Sequence, residues 1–505
     1  MIKKKLLSLT VFMTITATIM MGCSGAGKVN ENKETTEAIE QSEEIISEEE
    51  QNKIYSELFD INNKVTVKID MSETEIAKME ADFKTYYKKR SKSPIYRKAD
   101  KVIITIGDDT YEINDVGVRM KGNLSRTTFY NPVNGIHNMI HLRLSFDETF
   151  DDESYYGNEA EKWTDDKARE QRKKRTFASL DGLEIKWNRN YDNAYVRQRY
   201  SYEMFRNFGV PAPQSSFANL RLGDENYGVF FIGEPVDKKF IERYIDEEEQ
   251  GGDLYKGGWT NTPANYTLNM TYGVADKDEG DFYNMELKTN KSTSEHKNME
   301  NLLDMLNSND TTKEDFEKYV DVDEVMKFMA VSYFLGNPDD LRNNYNNHYI
   351  YFNKSTGKAI LIPYDYDRTL GVTYSYNPEA TGMTEVSPFS ESAEATGQKQ
   401  NNPLYRKSIL ENGFFRSEYK DALKEIAGSD WMDPERIEAE YEIVKKNYED
   451  VAVIDKKMDN VQNDKLGFSL EGEFVYGNDG SNMSIREYMT RIMNTYNSVI
   501  AQFDE

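Results

Sequence analysis

The chain has 505 residues, 38% of them hydrophobic, and a formal net charge of −26. That length allows one large domain or two to three smaller ones, and the acidity excludes duplex nucleic acid as a partner, since neutralising phosphates takes an excess of Lys and Arg. Cys23 is the only cysteine, which excludes an intrachain disulfide, a cysteine nucleophile and a thiolate metal site in the folded part.

Lys3, Lys4 and Lys5 precede an apolar, threonine-softened run to Met21 that is too short for a membrane span. The run ends in Met20-Met21-Gly22-Cys23, which resembles a bacterial lipobox, although Met20 stands where leucine is usual. Residues 1–23 are expected to be a lipoprotein signal peptide. Lipidated Cys23 then anchors the chain to the outer face of a bacterial cell membrane. The plainer alternative is a secretory signal with a stray cysteine. Residues 24–53 are Glu-rich and almost free of apolar side chains. Such a stretch cannot bury enough surface to fold, so a disordered acidic tether is expected.

"VTVKID" from Val65 alternates as a strand, and Ser72 with Glu75 forms a capping-box pattern that opens a helix. Residues 101–123 read as strands joined at Gly107-Asp108-Asp109, and "MIHLRLSFD" from Met139 alternates as another strand. Residues 150–175 are highly charged and read as a surface insertion. "NAYVRQRYSYEMFRNFG" has helical spacing and stops at Gly209; residues 217–234 read as a hairpin around Gly223-Asp224. Beyond about residue 290 the pattern turns helical, through "DVDEVMKFMAVSYFLG" to a last helix opened by Ser484 and Glu487. Residues 374–402 read as a mobile loop. The expectation is an α+β protein of two lobes: a β-rich N-lobe over residues 54–260 and a mainly helical C-lobe over residues 261–505.

One constellation carries chemistry. A helix ending at Gly336 leads into "NPDDLRNNYNN", then the strand "HYIYF", a turn, and the return strand "AILIPYD". If the strands pair as a hairpin, the Asp/Asn loop meets the Asp365-Tyr366-Asp367 turn at one end. Asp339, Asp340, Asn344 and Asn347 then share a site with Asp365 and Asp367. Oxygen-rich sites of this kind suit Mg²⁺ or Mn²⁺. The layout is that of a protein-kinase catalytic loop and metal-binding turn, although His-Arg-Asp, Asp-Phe-Gly and a Gly-rich phosphate loop are all absent. Asp and Asn are also ordinary turn residues, and Asp-x-Asp serves glycosyltransferases too. "VRMKGNLSR" places Asn123 and Ser125 after a strand, flanked by Arg119, Lys121 and Arg126, as a candidate phosphate-covering turn; Arg143 is a strand cation that could face phosphates. The four histidines form no HExxH pattern, so a zinc site is not expected.

These phrases, with "LDGLEIK", "YGVFFIGEPVDKKFIERY", "GDLYKG" and "IPYDYDRTLG", resemble in content and order the CotH family of spore coat protein H-like atypical kinases, from about Val116 to Gly371. The resemblance implies an atypical protein-kinase-like fold that transfers the ATP γ-phosphate to Ser or Thr of exported proteins with a divalent metal. By position, Asp339 resembles the catalytic-loop Asp, with Asp340 as its rival. Asn347 resembles the amide that follows, with Asn344 as its rival. Asp365 resembles the metal-binding Asp, with Asp367 as a second ligand. Glu234 falls at the joint between lobes, where it is expected to contact adenine. Arg143 stands where members often carry a lysine for the phosphates; arginine keeps the charge, and Arg119 or Lys121 could also serve. The expected partner is a basic, Ser/Thr-rich exported protein, of the spore coat or the cell surface. The alternative reading is a non-catalytic kinase-like scaffold or adhesion lipoprotein.

Overall fold

The computed structural model describes residues 47–122, 126–131, 136–258, 263–276, 282–372, 383–390, 402–452, 454, 458, 460–461, 466–471 and 483–503. The signal segment with Cys23, residues 24–46 of the tether, Asn123, Ser125 and most of the 374–402 loop lie outside them. The last part of the expected tether is folded. A helix spans Glu48–Phe59, capped by the Ser47 hydroxyl, and buries Ile54, Leu58 and Phe59. Three consecutive glutamates dominate the composition there, but they occupy the first turn, where the helix dipole favours acidic groups.

Seven strands of the described residues then form one sheet: β1 (Val65–Asp70), β2 (Arg97–Ile106), β3 (Asp109–Lys121), β4 (His141–Ser145), β5 (Gly182–Trp187), β6 (Ser215–Leu222) and β7 (Glu225–Gly233). The two expected hairpins are present, turning at Gly107 (φ +58°) and Gly223 (φ +57°). The sheet closes into a barrel in the order β1-β2-β3-β4-β5-β7-β6. Closure rests on β1, which pairs antiparallel with β2 and parallel with β6 (Val67 opposite Leu220), so that no edge remains open. The β-rich half is therefore a closed barrel and not merely a run of hairpins.

Side chains alternate across its wall. Val118, Met120, Leu142, Leu144, Leu183, Ile185 and Ile232 fill the interior. The intervening positions of the same strands are Arg119, Lys121, His141, Arg143, Glu184 and Lys186, and they face outward. Register sets Arg119 opposite Arg143, Arg143 opposite Glu184, and Lys186 opposite Phe231. Every β5 residue is nonetheless buried, because both of its faces are covered.

A second sheet combines β8 (Leu254–Gly257), β9 (Tyr272–Gly273), β10 (Met285–Leu287), β11 (His348–Phe352) and β12 (Ala359–Pro363), in the order β9-β10-β8-β11-β12. The largest apolar cluster joins this sheet to helices Arg197–Asn207, Val322–Leu335 and Ile485–Phe503. The Val322–Leu335 helix is buried almost all round and ends at Gly336 in a left-handed conformation (φ +58°). The fold is α+β. Among the described residues no helix is long and apolar enough to cross a membrane.

His348, the first residue of β11, is buried between the Tyr266 hydroxyl (2.9 Å from Nε2) and the Asn346 carbonyl (3.1 Å from Nδ1). Burial lowers its imidazole to about 4. Below the ordinary histidine value near 6.5 the unfolded chain then binds a proton that the folded chain does not. The contribution of His348 to stability falls as pH drops from about 6.5 towards 4, by about 1.4 kcal/mol per unit at most. His348→Gln should flatten the pH 5–7 dependence of the urea midpoint by about one proton's worth; an unchanged slope would refute this.

Candidate functional site

The β11–β12 hairpin sets His348 opposite Pro363. The Asp/Asn loop before it and the Asp365 turn after it therefore leave from the same end. Two ties fix them. The Asn347 carbonyl accepts from the Tyr364 N–H (3.2 Å). Buried Asn337 accepts from the Asp339 N–H at Oδ1 (2.9 Å) and donates from Nδ2 to the Asp365 carbonyl (3.4 Å).

Asp339 is half-buried. Its Oδ1 accepts from the Asn344 amide (2.7 Å) and the Asn346 amide (3.3 Å), and its Oδ2 accepts from the Asn347 amide (3.2 Å). Burial raises its carboxyl above the usual range. Asp340 differs in kind. It is fully buried and caps the four-residue Leu341–Asn344 helix through Asn343 N–H (2.9 Å), with the Asn343 amide (3.0 Å) and the Tyr366 hydroxyl (3.4 Å) also on it. Burial pushes its carboxyl up to about 7. The chain thus uses one of the two adjacent aspartates to build the loop and leaves the other facing the site.

Asp365 sits in the left-handed region (φ +57°), and its N–H donates to the Tyr202 hydroxyl (2.9 Å). Its carboxylate pairs with Lys186 of β5, whose ammonium also reaches Gln198 Oε1 (3.3 Å). Gln198 and Tyr202 lie one turn apart on the Arg197–Asn207 helix and bond to each other (3.2 Å). Burial alone raises the Asp365 carboxyl, but the Lys186 charge and hydrogen bond outweigh it and hold the group well below the usual range. Asp367 moves the other way, raised by burial and then by the Asp365 charge. Its carbonyl accepts from Asn190 (3.3 Å). Tyr366 between them is a buried wedge against Phe205, hydrogen-bonded to Ser332 (2.9 Å).

Three expected residues stand elsewhere. Arg143 pairs with Asp237 (3.4 Å), and the cation on Asp365 is Lys186. Arg119 donates to the Ser93 carbonyl (3.1 Å) and lies over the Tyr96 ring. The Glu234 side chain is wholly buried and holds the Tyr55 hydroxyl (3.0 Å), the Tyr244 hydroxyl (3.2 Å), the Gln214 N–H (3.2 Å) and Arg243. Its carboxylate locks the Glu48–Phe59 helix to the barrel and is not presented to an adenine. Lys121 does face the site, paired with Glu184 and 5.5 Å from the Tyr364 ring.

Lys186 is the residue of the candidate site that sequence reasoning missed. Its signal was the "LDGLEIK" phrase, where a lysine closes an apolar strand.

Among the described residues no group of three or more His, Cys, Asp or Glu side chains is gathered as a metal-binding set. The donors present are Asp365, Asp367, Asp339 and the amides. Among the described residues nothing donates to the buried Asn344 Oδ1, while its Nδ2 is committed to Asp339. An orphaned buried oxygen beside carboxylates fits Mg²⁺ or Mn²⁺, which take one or two carboxylates and complete their shell with water and phosphate oxygens.

A family model described as CotH kinase protein matches residues 118–465, more than half of the chain. The chain is also similar to the inner spore coat protein H of Bacillus subtilis (strain 168), 26% identical over 272 residues that make up 52% of this chain and 68% of that protein. With the barrel, the hairpin and the Asp339–Asp365 junction in place, this chain belongs to the CotH family.

Proposed function

We propose that the chain is an atypical kinase of two-lobed, kinase-like architecture, which moves the γ-phosphoryl group of ATP to a Ser or Thr hydroxyl of an exported protein. The observation that carries this reading is the junction itself. Asn337 ties Asp339 to the Asp365 turn, Lys186 meets Asp365, and Asn344 Oδ1 has no partner among the described residues. Asp365, Asp367 and the Asn344 oxygen would hold Mg²⁺ or Mn²⁺; the metal, when bound, neutralises phosphate charge. Lys186 keeps Asp365 ionised and positions it. Asp339 orients the acceptor hydroxyl and takes its proton as the new O–P bond forms, the bond to the bridging oxygen breaks and ADP leaves. Catalysis of this kind is mostly positioning and charge.

The net charge of −26 favours a basic, Ser/Thr-rich acceptor. Cys23, lipidated, would anchor the enzyme on the outer face of the cell membrane. The coat-protein name of the Bacillus relative supports association with a spore coat, and also a second reading as a non-catalytic kinase-like scaffold.

Incubation of the folded chain from Ser47 with γ-labelled ATP, a basic Ser-rich protein and Mg²⁺ or Mn²⁺ tests the proposal. Metal-dependent label in the acceptor is expected. No label, together with no metal-dependent ATP binding, would leave the scaffold.

A further inference from the structure

Three lysines from three strands converge on Tyr364 and Asp365. Lys186 of β5 pairs with Asp365, and Lys121 of β3 pairs with Glu184. Lys256 of β8 has no such partner: among the described residues no carboxylate lies within ion-pair distance of it. Its register neighbour is Glu286, but that carboxylate turns to Lys288 (2.6 Å). The Lys256 ammonium instead sits 3.6 Å from the centre of the Tyr364 ring and 5.3 Å from that of Tyr349. The two rings pack edge to face at 5.4 Å and make a corner for it.

We propose that Lys256 is a phosphate-binding residue, and that its ammonium on the Tyr349–Tyr364 corner receives the phosphate oxygens of a nucleotide whose reactive end lies at Asp365. The choice of nucleotide rests on the kinase reading; the anion site does not. The charges acting on the corner are Lys92, Lys121, Lys186, Lys256 and Lys288 against Glu184, Glu286, Asp365 and Asp367, an excess of one cation. Arg143, on the same barrel face, is committed to Asp237. Burial lowers the Lys256 ammonium well below its ordinary value, and Lys92 and Lys121 push it further the same way. Ring faces attract a cation but do not neutralise it. A half-buried ammonium beside like charges is thus held at a cost that an arriving anion removes. Charge-assisted contacts to phosphate are the stronger class of hydrogen bond, and lysine serves phosphate as a point charge. In a chain of net charge −26, a local excess of cations at the edge of the candidate site singles out an anionic ligand.

The test is calorimetric titration of the chain from Ser47 with inorganic tripolyphosphate, with ATP and with adenosine, for wild type, Lys256→Met and Lys256→Arg. Methionine keeps the stem on the rings and removes the charge. Tripolyphosphate and ATP affinity are expected to fall about tenfold in Lys256→Met and to stay within about threefold in Lys256→Arg, with the wild-type affinity falling steeply as salt rises. Lys256→Gln gives the same readout if methionine is not accommodated. Lys256→Met binding both anions as wild type does overturns the inference, even where label transfer shows the kinase reading to be right. Wild type that binds tripolyphosphate through Lys256 but shows neither label transfer nor metal-dependent ATP binding upholds the anion site and sinks the kinase reading. Wild type that binds adenosine as tightly as ATP, or binds neither anion, overturns the inference.

Discussion

Asp365→Asn is expected to abolish phosphoryl transfer and to weaken the fold together. The carboxylate is a candidate metal ligand, but it is also the partner of Lys186, whose side chain is only 6% exposed. Removing the Asp365 charge leaves the Lys186 ammonium buried without its counter-ion, with only neutral acceptors such as Gln198 Oε1 on it. The cost should be about 3 kcal/mol, the low end of the range for buried pairs, because Asp365 itself is a third exposed. Lys186→Met alone should cost less, since the stranded carboxylate can reach water. The double variant should recover most of the loss, because two neutral groups of similar size leave no charge to desolvate. Urea midpoints of the four proteins give the coupling directly. Strict additivity would mean that the pair does not interact in solution. Label transfer at the wild-type rate by Asp365→Asn would remove Asp365 from the mechanism, whatever its effect on stability.

Why Lys186 escaped the sequence, while Asp365 did not, is a matter of which signals are local. Asp365 follows an apolar strand and precedes a glycine, and its meeting with the Asp339 loop follows from hairpin spacing alone. Turn residues at Gly107 and Gly223 mark their hairpins in the same way. Lys186 looks like any lysine at a strand end; what selects it is register across β4, β5 and β7, which no local pattern records. Arg143 occupies a similar position one strand away, and only the observed pairing with Asp237 separates the two. Barrel closure is equally hidden. It depends on parallel pairing of Val65–Asp70 with Ser215–Leu222, about 150 residues apart in the chain. Glu234 was legible as a residue at a joint, but not as the acid that holds Tyr55. That contact needs the Glu48–Phe59 helix, and the glutamates of its first turn disguise it as part of a tether.

The two adjacent aspartates, equivalent in the sequence, should separate cleanly by experiment. Asp340→Ala removes the acceptor from a buried N–H and from a buried amide at once, so a loss of about 1–3 kcal/mol is expected. The turnover lost with it should track the unfolded fraction. Asp339→Asn keeps one oxygen for the Asn344 and Asn346 amides but turns an NH2 towards the Asn347 amide, so a moderate drop in melting temperature is expected, smaller than that of Asp340→Ala. The substitution removes the group that takes the acceptor's proton, so kcat should fall by about 10²–10⁴-fold while ATP affinity is unchanged. The pH profile discriminates further. Burial raises the Asp339 carboxyl, so the wild-type rate should fall on the acid side at a pH above that of an ordinary aspartate. The residual rate of Asp339→Asn should lack that limb. The opposite pattern, with a dead but stable Asp340→Asn and an active Asp339→Asn, would move the acceptor's proton to Asp340. That carboxylate would then have to leave its cap on the Leu341–Asn344 helix to reach a substrate.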